Sequence, residues 1–231
     1  MKTQPDWQWN EFQHIGADFS DLDEVEDYDR KHGQFRDVAA ENRQILELLN
    51  LPKGVRVLDI GAGTGHFVRA AARAGLRPTA VDISTTMLGY ARREAEKEGL
   101  NEIDYTHAGF LSFEFPEETF DAALTSAALH HLPDVWKAVA LSNICRVLKP
   151  GGQFVLRDVV FGWGEEGYVI YCDKAIASLP KEMRSRMASH IAREYSTLNW
   201  IMEGLLERAG FTILSAEKPL SYFRVYHCRK D

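Results

Sequence analysis

The chain has 231 residues, 45% of them hydrophobic and 26% charged, which suits one globular α/β domain with an ample core. A net charge of −7 and an isoelectric point near 5.6 exclude a broad basic surface and argue against unassisted nucleic-acid binding. Cys145, Cys172 and Cys228 show no ligand spacing and suit a reducing compartment. With no apolar h-region in MKTQPDWQWN and no run long enough to span a bilayer, the expected location is the cytoplasm, with no membrane partner.

Residues 1–36 mix Trp7, Trp9, Phe12, Phe19, Tyr28 and Phe35 with an acidic run from Asp18 to Asp29, and read as a solvated helix held by a few aromatics. Residues 36–49 carry a helical stripe of Val38, Ile45, Leu46, Leu48 and Leu49 that stops at Pro52-Lys53-Gly54. Val55 to Ile60 is then a buried strand, since β-branched residues and Leu form a short run bounded by Gly. It ends in VLDIGAGTGHF, where glycines at 61, 63 and 65 allow the main chain to approach a ligand and the amides opening helix 65–74 face the same point. A dinucleotide fingerprint needs its third glycine at position 66, and His66 stands there. Asp59 would repel a pyrophosphate but suits a ligand carrying an ammonium or sulfonium charge.

This stretch resembles motif I of the class I S-adenosylmethionine-dependent methyltransferases, and the resemblance covers roughly residues 40–160. It implies a Rossmann-like, doubly wound α/β sheet of seven strands, mostly parallel with the last strand antiparallel, with helices on both faces and a helical cap. It also implies S-adenosyl-L-methionine as cofactor, S-adenosyl-L-homocysteine as product, and a cofactor site at Asp59, Gly61, Ala62, Gly63, Thr64 and Gly65. In the N-terminal segment, Tyr28 with Asp29 matches the Tyr-Asp pair that closes the cofactor side in many members.

Gly75 is a C-cap candidate after helix 65–74, and Arg77 to Asp82 is the second strand. Asp82, roughly 20 residues beyond the glycine loop, is placed to accept both ribose hydroxyls. Ile83 to Leu88 resembles the family's D-x-S-x-x-M-L segment, in which Ile83 and Met87 flank the adenine, while Leu88 begins the core face of helix 85–98. In relatives the loop after the third strand often carries Gly-Asp, the Asp receiving the adenine amino group. Here it reads Ala108-Gly109-Phe110, which leaves the backbone of Gly109 and Phe110, with the Phe ring nearby, to hold the adenine edge. Glu117 and Glu118, after Pro116, read as a solvated turn.

Phe120 to Ser126 is the fourth strand, and the following ALHHLPD resembles the L-H-H-L-x-D stretch of small-molecule members such as the quinone-biosynthesis methyltransferases. Carboxyl ends of central strands face the cleft, which puts Ser126, Ala127, His130 and His131 near the chemistry. Adjacent histidines usually point apart and no nearby Cys or Asp completes a ligand set, so no metal is expected. His131 reads either as a loop-orienting residue or as a general base or acceptor contact. Helix 134–148 starts on Asp134 as N-cap, and Gln153 to Val160 is the fifth strand, at whose carboxyl end Asp158 reads either as an acceptor contact or, the more ordinary outcome, as a charge pair with Arg157. Residues 161–196 exceed the minimal fold: Gly162-Trp163-Gly164, Tyr168, Tyr171 and a helix near 180–193 read as an insertion that helps build the acceptor pocket. Thr197 or Ser196 caps helix 198–209, and residues 211–216 pair with 221–228 as an antiparallel ending.

One domain is expected, with 1–36 as an N-terminal cap segment, 55–160 as the cofactor-binding core, 161–196 as a cap insertion, and 197–231 as the last helix and strand pair. The expected activity is in-line transfer of a methyl group to a small-molecule acceptor by a monomer or homodimer, with His131, then Tyr195 or Glu194, as the base if one is used. A non-catalytic module holding the same cofactor, and an NAD-dependent oxidoreductase, remain as other readings.

Overall fold

The computed structural model describes residues 5–13, 21–23, 25–26 and 37–231, so Tyr28 and Asp29 lie outside the described residues. Strands β1 (Arg56–Ile60), β2 (Arg77–Asp82), β3 (Asp104–His107), β4 (Phe120–Ser126) and β5 (Leu148–Phe161) run parallel. β8 (Phe223–Lys230) lies antiparallel between β5 and β7 (Phe211–Leu220), giving the order β3-β2-β1-β4-β5-β8-β7. A two-residue β6 (Thr197–Leu198) pairs with the end of β5, off this path. The expected Rossmann-like sheet is therefore present with this small addition.

The alternation of side chains along each strand divides the core in two. Val57, Ala122, Leu124 and Val155 pack under Ile45 and Leu49 of α1 (Val38–Leu49) and Phe67 and Ala71 of α2 (His66–Arg73). Their neighbours Leu58, Ile60, Ala123, Phe154 and Leu156 pack on the other face, with Leu141 and Ile144 of α4 (Asp134–Val147) and Leu206 of α7 (Asn199–Arg208). Leu88 and Ala95 of α3 (Thr85–Lys97) join Val68 and Ala80, so Leu88 is a core residue. Because β2 and β4 flank β1 on opposite sides, the sheet reverses its winding there and opens a crevice at the carboxyl ends of β1, β2 and β4.

Several local expectations need correction. The fifth strand starts earlier than Gln153: the register jumps from Phe120↔Leu148 to Ala122↔Gln153, so Lys149-Pro150-Gly151-Gly152 is a bulge within β5. Pro133 is the N-cap of α4; Asp134 is its first residue, and its two oxygens take the Lys137 ammonium at 2.7 Å and the Thr197 hydroxyl at 2.9 Å. With Thr197 so engaged, α7 starts from Leu198 and has no side-chain cap. The 161–196 segment holds two helices, α5 (Gly167–Ala177) and α6 (Lys181–Arg193). α5 escaped the sequence reading because only Tyr171 and Ala175 are buried, while Tyr168, Val169 and Ile170 are exposed. No helix among the described residues is long and apolar enough to cross a membrane.

Candidate active site

The glycine loop at the end of β1 is held by backbone and carboxylate contacts. The Gly61 and Ala62 amides donate to the Val81 carbonyl at 2.8 and 3.0 Å, which ties the loop to β2. The Gly63 amide donates to Asp82 Oδ2 at 2.8 Å, while Asp82 Oδ1 accepts from Ser84 at 2.8 Å. Gly61 and Gly65 are needed for packing, since a Cβ would stand 2.4 Å from the Ala128 methyl and 2.6 Å from the Ala91 methyl respectively. All three sit in the left-handed region, at φ +73°, +53° and +77°, but at Gly63 alone of the three a Cβ would project into open space.

That space is a groove with two lobes sharing a wall of Gly61, Gly63, Ser126 and Ala127. One lobe contains Asp59, Thr64, His66 and Arg157; the other contains Asp82, Ile83, Met87, Gly109, Phe110 and His131. Burial, reinforced by the charge of Asp82, pushes the Asp59 carboxyl up to about 8. Burial also raises Asp82, against the opposing hydrogen bonds from Ser84 and Gly63. Two carboxylates, buried and held above their ordinary values, form a site suited to a positively charged ligand with hydroxyl donors. Ala127 adopts a left-handed backbone, φ 54°, and its amide donates to the Arg157 carbonyl at 2.8 Å, turning the chain sharply out of β4 along the groove.

Residues 5–13 run along the second lobe. Trp9 packs edge-on against Tyr195 with ring centroids 5.5 Å apart, and Phe12 does the same against His107 at 5.4 Å. Between them Glu11 enters the lobe wall, its Oε2 accepting the Leu111 amide at 2.9 Å.

At the groove's edge, His130 and His131 sit in a 3-10 turn (Leu129–His131), where a cluster of ionisable groups forms. Asp158 receives the His130 amide at 2.9 Å and His130 Nδ1 at 2.5 Å. His130 Nε2 faces Glu194 Oε2 at 3.1 Å, and the same oxygen meets His190 Nδ1 at 2.9 Å and lies 3.7 Å from His131 Nδ1. Burial opposes the charge on His130, but Asp158 and Glu194 outweigh it and raise the ring to about 9. His131 goes the other way, to about 4, because its Nδ1 edge is buried and the His130 charge is adjacent. His130, His190 and Glu194 bring ligand-type atoms within 4.8 Å of one another, a set that chain neighbours of His130 did not suggest. Each of the three is already satisfied by another of them, by Asp158 or, through His190 Nε2 at 2.7 Å, by Ser196.

Comparison with known proteins gives the family. A family model described as a methyltransferase domain matches residues 57–152, which hold the glycine loop, Asp82 and the histidine turn. A methyltransferase of Anoxybacillus flavithermus is 30% identical over 205 residues, covering 86% of this chain and 92% of the relative. The chain belongs to the methyltransferases. Among solved structures, phosphoethanolamine N-methyltransferase 2 of Haemonchus contortus, in complex with S-adenosyl-L-methionine, is 27% identical with a TM-score of 0.62, over 77% of this chain and 38% of that one. The 4+2 cyclase SpnF, 22% identical with a TM-score of 0.66 over 83% of this chain and 80% of that one, shares the fold.

In this methyltransferase the sequence-predicted residues Asp59, Gly61, Ala62, Gly63, Thr64, Asp82, Ile83, Met87, Gly109, Phe110, Ser126, Ala127 and His131 all line the groove. Gly65 lies behind it, against Ala91. Glu194 and Tyr195 line neither lobe: Glu194 is engaged by the histidines, and Tyr195 is fixed through its amide to the His130 carbonyl at 2.9 Å. The expected Arg157–Asp158 pair does not form, because strand neighbours face opposite ways: Arg157 meets Glu41 at 2.8 Å while Asp158 meets His130. α5 and α6 pack through Tyr171, Ala175, Met187 and Ile191 against Val159, Phe161, Tyr222 and Phe223, away from the groove lining. Sequence reasoning missed Glu11, whose Leu111 partner lies 100 residues away, and His190, which meets Glu194 and Ser196 locally but joins His130 only in the fold.

Proposed function

We propose that this methyltransferase acts in the cytoplasm on a small-molecule acceptor, with S-adenosyl-L-methionine as the methyl donor. The reading is carried by one observation: a single groove joins the cation-seeking Asp59 lobe to the Asp82 lobe, and the neutral ring of His131 stands at its edge. Asp59 fits an α-ammonium group. Asp82, with lone pairs left over from Gly63 and Ser84, fits the ribose hydroxyls; Ile83 and Met87 flank a planar base. The bound cofactor supplies an electrophilic methyl carbon on sulfonium, so the chain's own work is alignment, exclusion of water and disposal of a proton. His131 carries its Nδ1 toward Glu194, which leaves Nε2 on the more exposed edge as an acceptor for the substrate's proton. The acidic surface favours a compact acceptor over nucleic acid, and the three free cysteines accord with a reducing compartment.

Incubating the protein with methyl-labelled cofactor and a metabolite extract, followed by mass spectrometry, tests the reading. A labelled small product is expected. Tight cofactor binding with no product from any extract points to a non-catalytic module, and binding of NADH in place of S-adenosylhomocysteine overturns the proposal.

A further inference from the structure

Glu11 is an unusual carboxylate to find inside a groove wall. It is 6% exposed, and its Oε2 is held by the Leu111 amide, 100 residues away in sequence. Its other oxygen, Oε1, is buried and has no hydrogen-bond partner among the described residues. A buried acceptor without a donor is costly, and its persistence calls for a donor arriving from elsewhere. Burial accordingly holds the Glu11 carboxyl above its ordinary value, against the opposing Ser112 hydroxyl and turn amides.

Gly109 shows that the placement is built in. A Cβ on this residue would stand 2.3 Å from Glu11 Oε2 and 2.4 Å from its Cδ, so the carboxylate occupies the space that any side chain at 109 would need. The glycine is required for room. The same lobe is lined by Ile83, Met87 and Phe110 as apolar walls, by Asp82, and by Glu11 set into its wall. Apolar plates with a lone acceptor at the edge suit a flat heteroaromatic ring carrying an exocyclic amine.

We propose that Glu11 Oε1 receives the exocyclic 6-amino group of the cofactor's purine, making this N-terminal residue the one that selects adenine over a 6-oxopurine. The inference rests on the cofactor reading above. It also explains why residues 5–13 lie along the groove: Trp9 on Tyr195 and Phe12 on His107 hold the segment on either side of the carboxylate.

Calorimetry on the full chain, with S-adenosylhomocysteine and its 6-oxo counterpart S-inosylhomocysteine, tests it. The wild type should prefer the adenosyl compound by at least about tenfold. In Glu11→Gln the amide oxygen can still accept from Leu111, but the NH2 turned into the lobe is a donor, so the preference should fall below about threefold or reverse. Gly109→Ala, which pushes the carboxylate out through its Cβ, gives a second route to the same loss if the first variant folds poorly. Full wild-type discrimination in either folded variant, or equal binding of both compounds by the wild type, overturns the role of Glu11. Binding of neither compound by the wild type instead overturns the cofactor reading itself.

Discussion

His130 Nδ1 lies 2.5 Å from Asp158 Oδ1, and the opposite edge of the same ring faces Glu194 at 3.1 Å, so one imidazolium joins β5 to the residue that follows α6. The ring is raised to about 9 in the fold, against roughly 6.5 when unfolded. The raised value means that this contribution is fully present below about 6.5 and is lost as pH climbs through about 9. Urea titrations should show stability falling by on the order of 3 kcal/mol across that window. His130→Gln should flatten the slope; a slope identical to the wild type's would place the linkage on another group.

The same cluster predicts the opposite for its neighbour. With His131 held at about 4, its ring stays neutral well below neutral pH, which keeps its lone pair available although burial and the His130 charge make it a weaker base than an ordinary imidazole. His131→Gln should lower kcat by about two orders of magnitude and leave the S-adenosylhomocysteine Kd nearly unchanged. A large loss of cofactor affinity with kcat retained would make His131 a loop-orienting residue.

Asp59 should make cofactor binding visibly protonic. At neutral pH its carboxyl, near 8, holds a proton that an arriving ammonium group displaces, so binding releases protons and tightens as pH rises toward about 8. Calorimetry at pH 7 in two buffers of different ionisation enthalpy reads the release directly. Asp59→Asn should abolish it, and an unchanged release would point to Asp82.

Two glycines of one loop should fail differently. Gly61→Ala forces a methyl into the Ala128 methyl at 2.4 Å and should cost about 1–3 kcal/mol of stability. The Cβ of Gly63→Val has no atom within 4 Å, so the change should destabilise mainly through its φ of +53° while eliminating cofactor binding. Equal binding defects in the two, at equal melting temperatures, would contradict the groove.

Removing the carboxylate that holds this loop tests the ribose contact. Asp82→Ala should weaken S-adenosylhomocysteine binding by about 1.5–3 kcal/mol, part of it through release of the Gly63 amide, with the fold retained. An unaltered Kd would move the hydroxyl contacts elsewhere.

Asp59, Asp82 and the glycines were legible because strand ends in this kind of sheet converge on one crevice, so one-dimensional spacing carries three-dimensional meaning. The direction of Arg157 and Asp158 was legible in principle from strand alternation, yet charge proximity suggested pairing them. Glu11 on the 109–112 turn, and His190 with Glu194 around His130, were beyond reach because nothing local marks a contact made across such separations. α5 stayed hidden for a simpler reason, namely that a helix burying only Tyr171 and Ala175 leaves no periodic stripe.

The pairing of Val160 with Thr197 and of Phe161 with Leu198 brings the departure and return of the α5–α6 excursion together. Its two ends are one strand spacing apart, about 4.8 Å, whatever length of chain lies between them. The excursion is thus a plug-in cassette with a fixed socket. Its returning end also carries His190, Glu194 and Tyr195 onto His130, so a chimera built at this junction keeps β5, α7 and the histidine cluster in place only if residues 190–196 stay with the socket.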